Sequence, residues 1–581
     1  MSTNLSSCEF LIKQSANSFI PEEFDEETLM IADTCKDFLD NEVFPIQREI
    51  DEKEDEIMTS LLRKSADLGL LGLTVPEQYG GFPINFIGSI KSGESFGGAG
   101  SFSVAHMCHI GIGTMPIVCY GNEEQKMKYL PDLVTGKRFS CFCLTEPDAG
   151  SDANAGRTTA VLSPDGGHYI LNGQKVFITN SGFADIQVVF AKIEDDRVLS
   201  AFIVERAWDG VSVATEEHKM GIRGTSTRQI FYNNVKVPAE NLLGRRGEGY
   251  RIALNILHLG RVKLASLALG GSKKSIEYSV NYANERRQFG KSIACFGAVK
   301  QMLAQQTIKT FAIESALYRA ASSIQNRYEE LIAAGKTEGT ATIEAVADYQ
   351  SECAMLKVIA SECQDMVVDN AVQILGGIGY VSSMPVERAY RDSRINRIYE
   401  GTNEINRLLT VDYIIKRAIR NRDYPLFDMA EKAEKQTCSD DATFAEKQNA
   451  ALCNLKAVCN KAILAFHAKH ESDFNDQEEL MQNIFDIVSN IYVAESVLLR
   501  VNKVMDGKLR ANTEVYKCIA ETVMHDVGMT IFEKGMSMAG SLQDKALYDS
   551  VKEFVSFNLV NIKENQRVVA DKLIADNQYK F

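Results

Sequence analysis

The period of the apolar residues changes twice along the chain, and those two changes restrict its fold more than any single motif does. From about residue 20 to 140, Leu29, Ile31, Ala32, Cys35, Phe38, Leu39 and Val43 recur at helical spacing, as do Leu61, Leu62, Ala66 and Leu68 to Leu71. After Cys141 the apolar residues come in short β-branched or aromatic runs: Val176 to Thr179, Ile186 to Ile193, Leu199 to Val204 and Gln229 to Val237. Turn residues such as Asp165-Gly166-Gly167 and Asn172-Gly173 bound them. No helical crossover separates these runs, which predicts an antiparallel sheet. Helix period returns at Gly249, where Ile252, Ile256, Leu259, Val262 and Leu264 open a helix apolar nearly all round and therefore buried. The expected fold is α+β and multidomain: a helical N-terminal domain over 1–140, a middle antiparallel β-domain over 141–245 and a helical bundle domain over 246–420. An extra C-terminal helical domain over 445–581 follows a polar linker containing Arg422-Asp423-Tyr424-Pro425 and Gln436 to Asp441.

Charge narrows the partners. The 581 residues carry 63 Lys+Arg against 78 Asp+Glu, a net of −15, and no basic run, which argues against nucleic acid. Most of the excess is local, since residues 21–56 hold 15 acidic and 3 basic side chains. Thirteen scattered cysteines suit reduced thiols in a reducing compartment. No signal or presequence pattern, no run of 18 apolar residues for a transmembrane segment and no Ser-Lys-Leu ending is read, so the expected location is the cytoplasm.

Several local patterns have ordinary readings. Phe289-Gly290-Lys291-Ser292 lacks the first glycine of a P-loop, because Glu285 stands there. Gly376-Gly377-Ile378-Gly379 follows a helical run and reads as a helix C-terminal turn, with no strand before it for a dinucleotide fingerprint. His106 and His109 lack a second ligand pair, so no metal is expected, and Cys141 and Cys143 read as buried small residues.

What remains is a set of polar, glycine-punctuated segments at the joins between the helical and β regions, where ligands usually sit. They are Phe142 to Asp152, Phe177-Ile178-Thr179-Asn180, Glu285 to Lys291, Gln373 to Tyr380, and Arg397-Ile398-Tyr399-Glu400-Gly401-Thr402-Asn403-Glu404. With Met220 to Gly224 and Val237 to Asn241 between them, these segments in this order resemble the acyl-CoA dehydrogenase family over about residues 25 to 420.

The resemblance implies a flavoenzyme with FAD bound between domains and across a subunit interface. It implies Glu400 as the base that removes the α-proton of an acyl thioester; Gly260, where some members carry the base instead, offers no competitor. For FAD it points to Phe142, Leu144, Thr145, Ser151, Phe177 and Thr179 around the isoalloxazine and ribityl, and to Thr402 and Glu404 near the pyrophosphate or adenosine. Arg286, Phe289, Gln373 and Gly377 would serve the ADP part of the neighbouring subunit's FAD. Ser151, His258, Arg261, Tyr399 and Gly401 are the implied acyl-CoA contacts.

Three departures are visible. Phe177 stands in place of a tryptophan common beside the flavin, and His258 in place of an acidic group that contacts CoA. Phe296-Gly297 replaces a Phe-Gln pair, a form similar to the very-long-chain branch, which also carries a C-terminal helical extension. That branch implies a long-chain acyl-CoA substrate, a homodimer and electron-transfer flavoprotein as electron acceptor. An acyl-CoA oxidase and an assembly scaffold of similar architecture are the alternative readings.

Overall fold

Asp25 opens the first long helix by accepting the Thr28 N–H at 2.7 Å, which caps Glu26–Phe38. Its Ile31, Cys35 and Phe38 turn inward against Leu61, Leu62, Leu70, Phe96 and Phe102, and the acidic residues between them face solvent. The computed structural model describes residues 6–15, 18–52, 55–420, 423–508, 513–556 and 560–581. Lys53 and Glu54 of the acidic run and Arg422 of the expected linker lie outside the described residues. The Ser101–Met107 helix passes through a widened turn, in which the Thr114 N–H reaches the His109 carbonyl, into Met115–Tyr120. This segment and Gly249–Glu285 are apolar and long enough to cross a membrane, but both are mostly buried inside the fold.

Eight strands form the middle sheet: β1 (Ser140–Cys143), β2 (Thr159–Leu162), β3 (His168–Thr179), β4 (Ile186–Ile193), β5 (Leu199–Glu205), β6 (Val211–Val213), β7 (Thr227–Pro238) and β8 (Leu242–Leu243). Their order is β6-β7-β3-β2-β4-β5-β8, with β1 beside β4. The pairs β2–β3, β3–β7, β6–β7, β4–β5 and β5–β8 are antiparallel, as the sequence predicts. Two pairs are not: β4 runs parallel to both β1 and β2, so the sheet is mixed. The reason is that β3 itself carries the chain back, acting as the crossover for which the sequence showed no helix.

The helical bundle is built on two 37-residue helices, Gly249–Glu285 and Gly297–Ala333, packed with Gln350–Leu375. The last of these stops where Gly376 takes φ +66°. Phe289 and Gly290, both at positive φ, form the tip of a two-residue hairpin that pairs Gln288 with Lys291. The extension helices Phe444–Lys469, Glu478–Lys503, Thr513–Leu542 and Ile562–Asp576 share one apolar core with the bundle. Cys8 to Ile12, which the sequence grouped with the N-terminal helices, join that same core: the Leu11 carbonyl accepts from Asn460 at 3.0 Å, and Phe10 packs on Tyr492.

Candidate active site

Between the helices Pro385–Ser393 and Asn403–Arg420 the chain makes a turn in which Glu400 and Gly401 both take left-handed backbone, φ +59° and +84°. Glutamate rarely adopts that region, so the surroundings must hold it there. Three elements do so through carbonyl oxygens. Arg261 of the Gly249–Glu285 helix donates Nε–H to the Glu400 carbonyl at 3.1 Å. Lys357 of the Gln350–Leu375 helix donates to the Gly401 carbonyl at 2.8 Å and to Asn403 Oδ1 at 2.8 Å. Asn406 donates to the Gly401 and Thr402 carbonyls at 2.8 and 3.0 Å.

The turn aims the Glu400 side chain into an apolar cavity walled by Val104, Cys108 and Ile112 on one side and Gly260, Leu264 and Leu267 on the other, with Tyr399 beside it. A Cβ at position 260 would lie 2.8 Å from Glu400 Oε2, so glycine there makes room for the carboxyl. The residue as a whole is half-buried, but Oε2 is shielded from solvent and has no hydrogen-bond partner. Burial raises the Glu400 pKa to about 7, against the opposing pull of Arg261 and Lys357. Lys357 is itself pushed down to about 7 by burial. His258 lies buried behind Arg261, its Nδ1 3.0 Å from Nη1, and burial followed by the Arg261 charge lowers its pKa to about 3. The imidazole is therefore neutral and accepts from the guanidinium.

The β-domain reaches this cavity through Cys108. Its thiol is pushed up to about 12 by burial and then by the Glu400 charge, and is drawn back by the Thr179 side chain. A bulge between Lys175 and Ile178 puts Phe177 at φ +58° and ejects its ring from the sheet, 66% exposed. The Leu144–Thr145 backbone is tied to β3: Lys175 donates to the Leu144 carbonyl at 3.1 Å, and the Val176 N–H to the Thr145 carbonyl at 2.9 Å. Lys175 also pairs with Glu146 at 2.6 Å, both buried. Phe142 packs on Phe190, and Ser151 is exposed on the following loop. The Thr402 hydroxyl accepts the Ile405 N–H at 3.3 Å, with Glu404 exposed in that first helical turn.

Glu400, Gly401, Arg261, His258, Tyr399 and Thr179 are thus brought to one place. Arg286, Phe289, Gln373 and Gly377 are not; they lie exposed on the surface and share no hydrogen bond or cavity wall with Glu400. Sequence reasoning missed Lys357, Asn406 and the Lys175–Glu146 pair. The available signal was a lone charge in an apolar stretch, as in Met355-Leu356-Lys357-Val358-Ile359.

Residues 25–137, 141–235 and 247–414 match in order the families described as acyl-CoA dehydrogenase N-terminal, middle and C-terminal domains, and 461–535 a further acyl-CoA dehydrogenase C-terminal domain. The chain belongs to the acyl-CoA dehydrogenase family. It is 42% identical over 490 residues to "Probable acyl-CoA dehydrogenase" of Bacillus subtilis (strain 168), covering 84% of this chain and 82% of that one. To the mitochondrial very long-chain specific acyl-CoA dehydrogenase of Rattus norvegicus it is 37% identical over 388 residues, 64% of this chain and 56% of that one. A crystal structure of an acyl-CoA dehydrogenase complexed with FAD from Bacillus anthracis superposes with a TM-score of 0.96 at 37% identity, over 99% of this chain and 100% of that one. The family resemblance read from the motifs is borne out.

The side chains present suit the flavin that family members use. Phe177 offers a free aromatic face, a Cβ at Gly376 or Gly377 would meet nothing within 4 Å, and the exposed Arg286 has no acidic partner among the described residues. A planar guanidinium of that kind is apt for phosphate oxygens.

Proposed function

We propose that the chain carries out FAD-dependent α,β-dehydrogenation of long-chain acyl-CoA to trans-2-enoyl-CoA in fatty acid β-oxidation, with Glu400 as the catalytic base. The observation that carries this reading is the Glu400 carboxyl, unpaired at Oε2 and enclosed in an apolar cavity. An ordinary glutamate, with a pKa of about 4.3, is a weak base toward a carbon acid. A carboxyl raised to about 7 is better matched to a proton α to a thioester carbonyl. Arg261 and Lys357 fix its approach by holding the Glu400 and Gly401 carbonyls. Among the described hydrogen bonds the Glu400 N–H donates to no protein acceptor, so it can meet the thioester oxygen as enolate charge develops. Bound FAD supplies the acceptor for the hydride leaving the β-carbon.

In this reading Phe142, Leu144, Thr145, Ser151, Phe177 and Thr179 flank the isoalloxazine and ribityl, with Thr402 and Glu404 further along the cofactor. The surface position of Arg286, Phe289, Gln373 and Gly377 supports their service to a partner subunit's FAD, and hence a homodimer. Long-chain preference and electron-transfer flavoprotein as acceptor rest on the resemblance to the very-long-chain branch. The position of Gly297 supports it too, since that residue lies under the extension, where an added Cβ would stand 4.0 Å from Arg567 Nη2. Thirteen free thiols suit a cytoplasmic location.

The test is anaerobic bleaching of the flavin by acyl-CoAs from octanoyl to stearoyl. Bleaching by the longer thioesters is expected, and none with any thioester would remove the dehydrogenase reading. Glu400→Gln is expected to keep FAD and lower kcat by about 100- to 10,000-fold. Stoichiometric peroxide in air would move the reading to an oxidase.

A further inference from the structure

The cavity at Glu400 is one of two that share the same pair of wall segments. Its walls carry Val104, Cys108 and Ile112 on one segment and Leu267, Leu264 and Gly260 on the other. A second cavity is lined by Met115 and Val118, the next turns of the first segment, and by Leu259, the preceding turn of the Gly249–Glu285 helix. The two segments run past each other in opposite directions, and both cavities open on the groove between them. Lys263 stands in the wall of both.

That lysine is 3% exposed, and among the described residues its ammonium has no hydrogen-bond acceptor and no carboxylate partner. The ionisable group that acts on it is the Cys119 thiol, which burial pushes up to about 12 and so keeps neutral. Burial lowers Lys263 to about 8, which leaves it a cation at neutral pH. The other buried lysines are matched: Lys175 by Glu146 at 2.6 Å, Lys456 by Glu495 at 2.6 Å, Lys357 by a carbonyl and Asn403. Thr74 Oγ1, on the wall of the second cavity, is buried without a partner. Glu123 and Glu338 line the second cavity as well, where Glu123 is engaged by Tyr79 at 2.7 Å and Lys126 at 3.7 Å. In the wall of the Glu400 cavity, Lys263 is the charged side chain besides Glu400 itself.

We infer that the groove accepts acyl-CoA thioesters with a carboxylate at the far end of the chain, the mono-CoA esters of dicarboxylic acids, and that Lys263 holds that distal carboxylate. This rests on the dehydrogenase reading of Glu400. Gly260 packs on the Glu400 carboxyl, and Lys263 lies about 4.5 Å along the helix axis from it, toward Leu264 and Leu267, with a four-carbon stem. Its ammonium is set off from the Glu400 carboxyl along the apolar wall of the same cavity, where the end of a medium-length chain can reach it. A buried cation without an anion is costly, and a carboxylate delivered by the substrate removes that cost.

The test compares kcat/KM for ω-carboxyacyl-CoAs, from adipoyl to hexadecanedioyl, with plain acyl-CoAs of the same length on the FAD-loaded full chain. The wild type is expected to favour the ω-carboxy thioester at one length or more by about 10-fold or more. In Lys263→Met that ratio is expected to fall by about 10-fold or more, with partial recovery in Lys263→Arg. A wild type without preference at any length overturns the inference even if the variants do not fold. Turnover of plain thioesters with a ratio unchanged in Lys263→Met overturns it while leaving the dehydrogenase reading intact. If neither series bleaches the flavin, calorimetric binding of the ω-carboxyacyl-CoAs to wild type and Lys263→Met decides: equal affinity overturns the role of Lys263, and weaker binding to the variant supports it.

Discussion

Glu400 and Lys357 form an unusual pair, because burial drives their pKa values toward each other, the carboxyl up to about 7 and the ammonium down to about 7. Each opposes the other's shift through its charge. Only the deprotonated carboxyl is a base, so kcat/KM is expected to rise with pH through about 7 and then level off. As pH rises Lys357 also loses its proton and its pull on Glu400 weakens, so the wild-type limb should be broader than a single ionisation. Lys357→Met removes a cation that lowers the Glu400 pKa. The limb is therefore expected to move to higher pH and to sharpen to one ionisation. A pH profile of kcat/KM checks this, and a limb that neither moves nor sharpens would separate Lys357 from the titration of Glu400. Burial of Oε2 beside Gly260 is what makes the pair matter, and no residue near Glu400 in sequence announces it.

At the level of elements, the period changes at about 141 and 249 were enough to place a sheet between helical regions, and turn residues marked the hairpins. Two things were not legible. One was the direction of β4, parallel to β1 and β2, because direction follows from how β3 returns the chain and not from the content of any strand. The other was the bulge at Phe177: Val176 to Thr179 reads as unbroken strand, yet left-handed backbone at 177 turns an aromatic ring outward. The loop bonded to the strand beside that bulge is anchored by Lys175 and Glu146, and Glu146 also accepts the Arg157 and Thr158 N–H groups. Burial works to raise the Glu146 pKa, but the Lys175 charge and these hydrogen bonds hold it below the usual range. Lys175→Met leaves a buried carboxylate without its cation. It is expected to cost about 3–5 kcal/mol and to loosen the Leu144–Asp152 loop. Denaturant unfolding together with FAD titration checks both effects, and a variant with wild-type stability and FAD affinity would show that the pair does not anchor the loop.

Across the whole molecule, the extension is joined to the dehydrogenase bundle by buried charges as much as by apolar contact. Of the residues whose helical spacing suits packing, Ile484, Ile487, Val488, Ile491 and Val497 are buried and Val493 is half-buried against the same core. The ion pairs among them could not be read from spacing, because the partners are hundreds of residues apart. Arg500 of the extension is fully buried, lies 3.9 Å from the Phe311 ring centroid, and pairs with Glu314 at 2.8 Å and Glu22 at 2.9 Å. Arg319 and Lys456 converge on Glu495 at 2.7 and 2.6 Å in the same seam. Residues from the start of the chain, the bundle and the extension therefore meet around one guanidinium. Such a joint makes the extension part of a single cooperative unit with the bundle, not an appended domain. Arg500→Met strands Glu314 with fewer cations in a dry environment and is expected to lower stability by about 3–5 kcal/mol. Urea unfolding followed by a probe in the bundle and a probe in the extension checks the claim. Both transitions should shift together to lower denaturant, whereas a shift confined to the extension probe would mean that it folds on its own and that Arg500 does not couple it to the site.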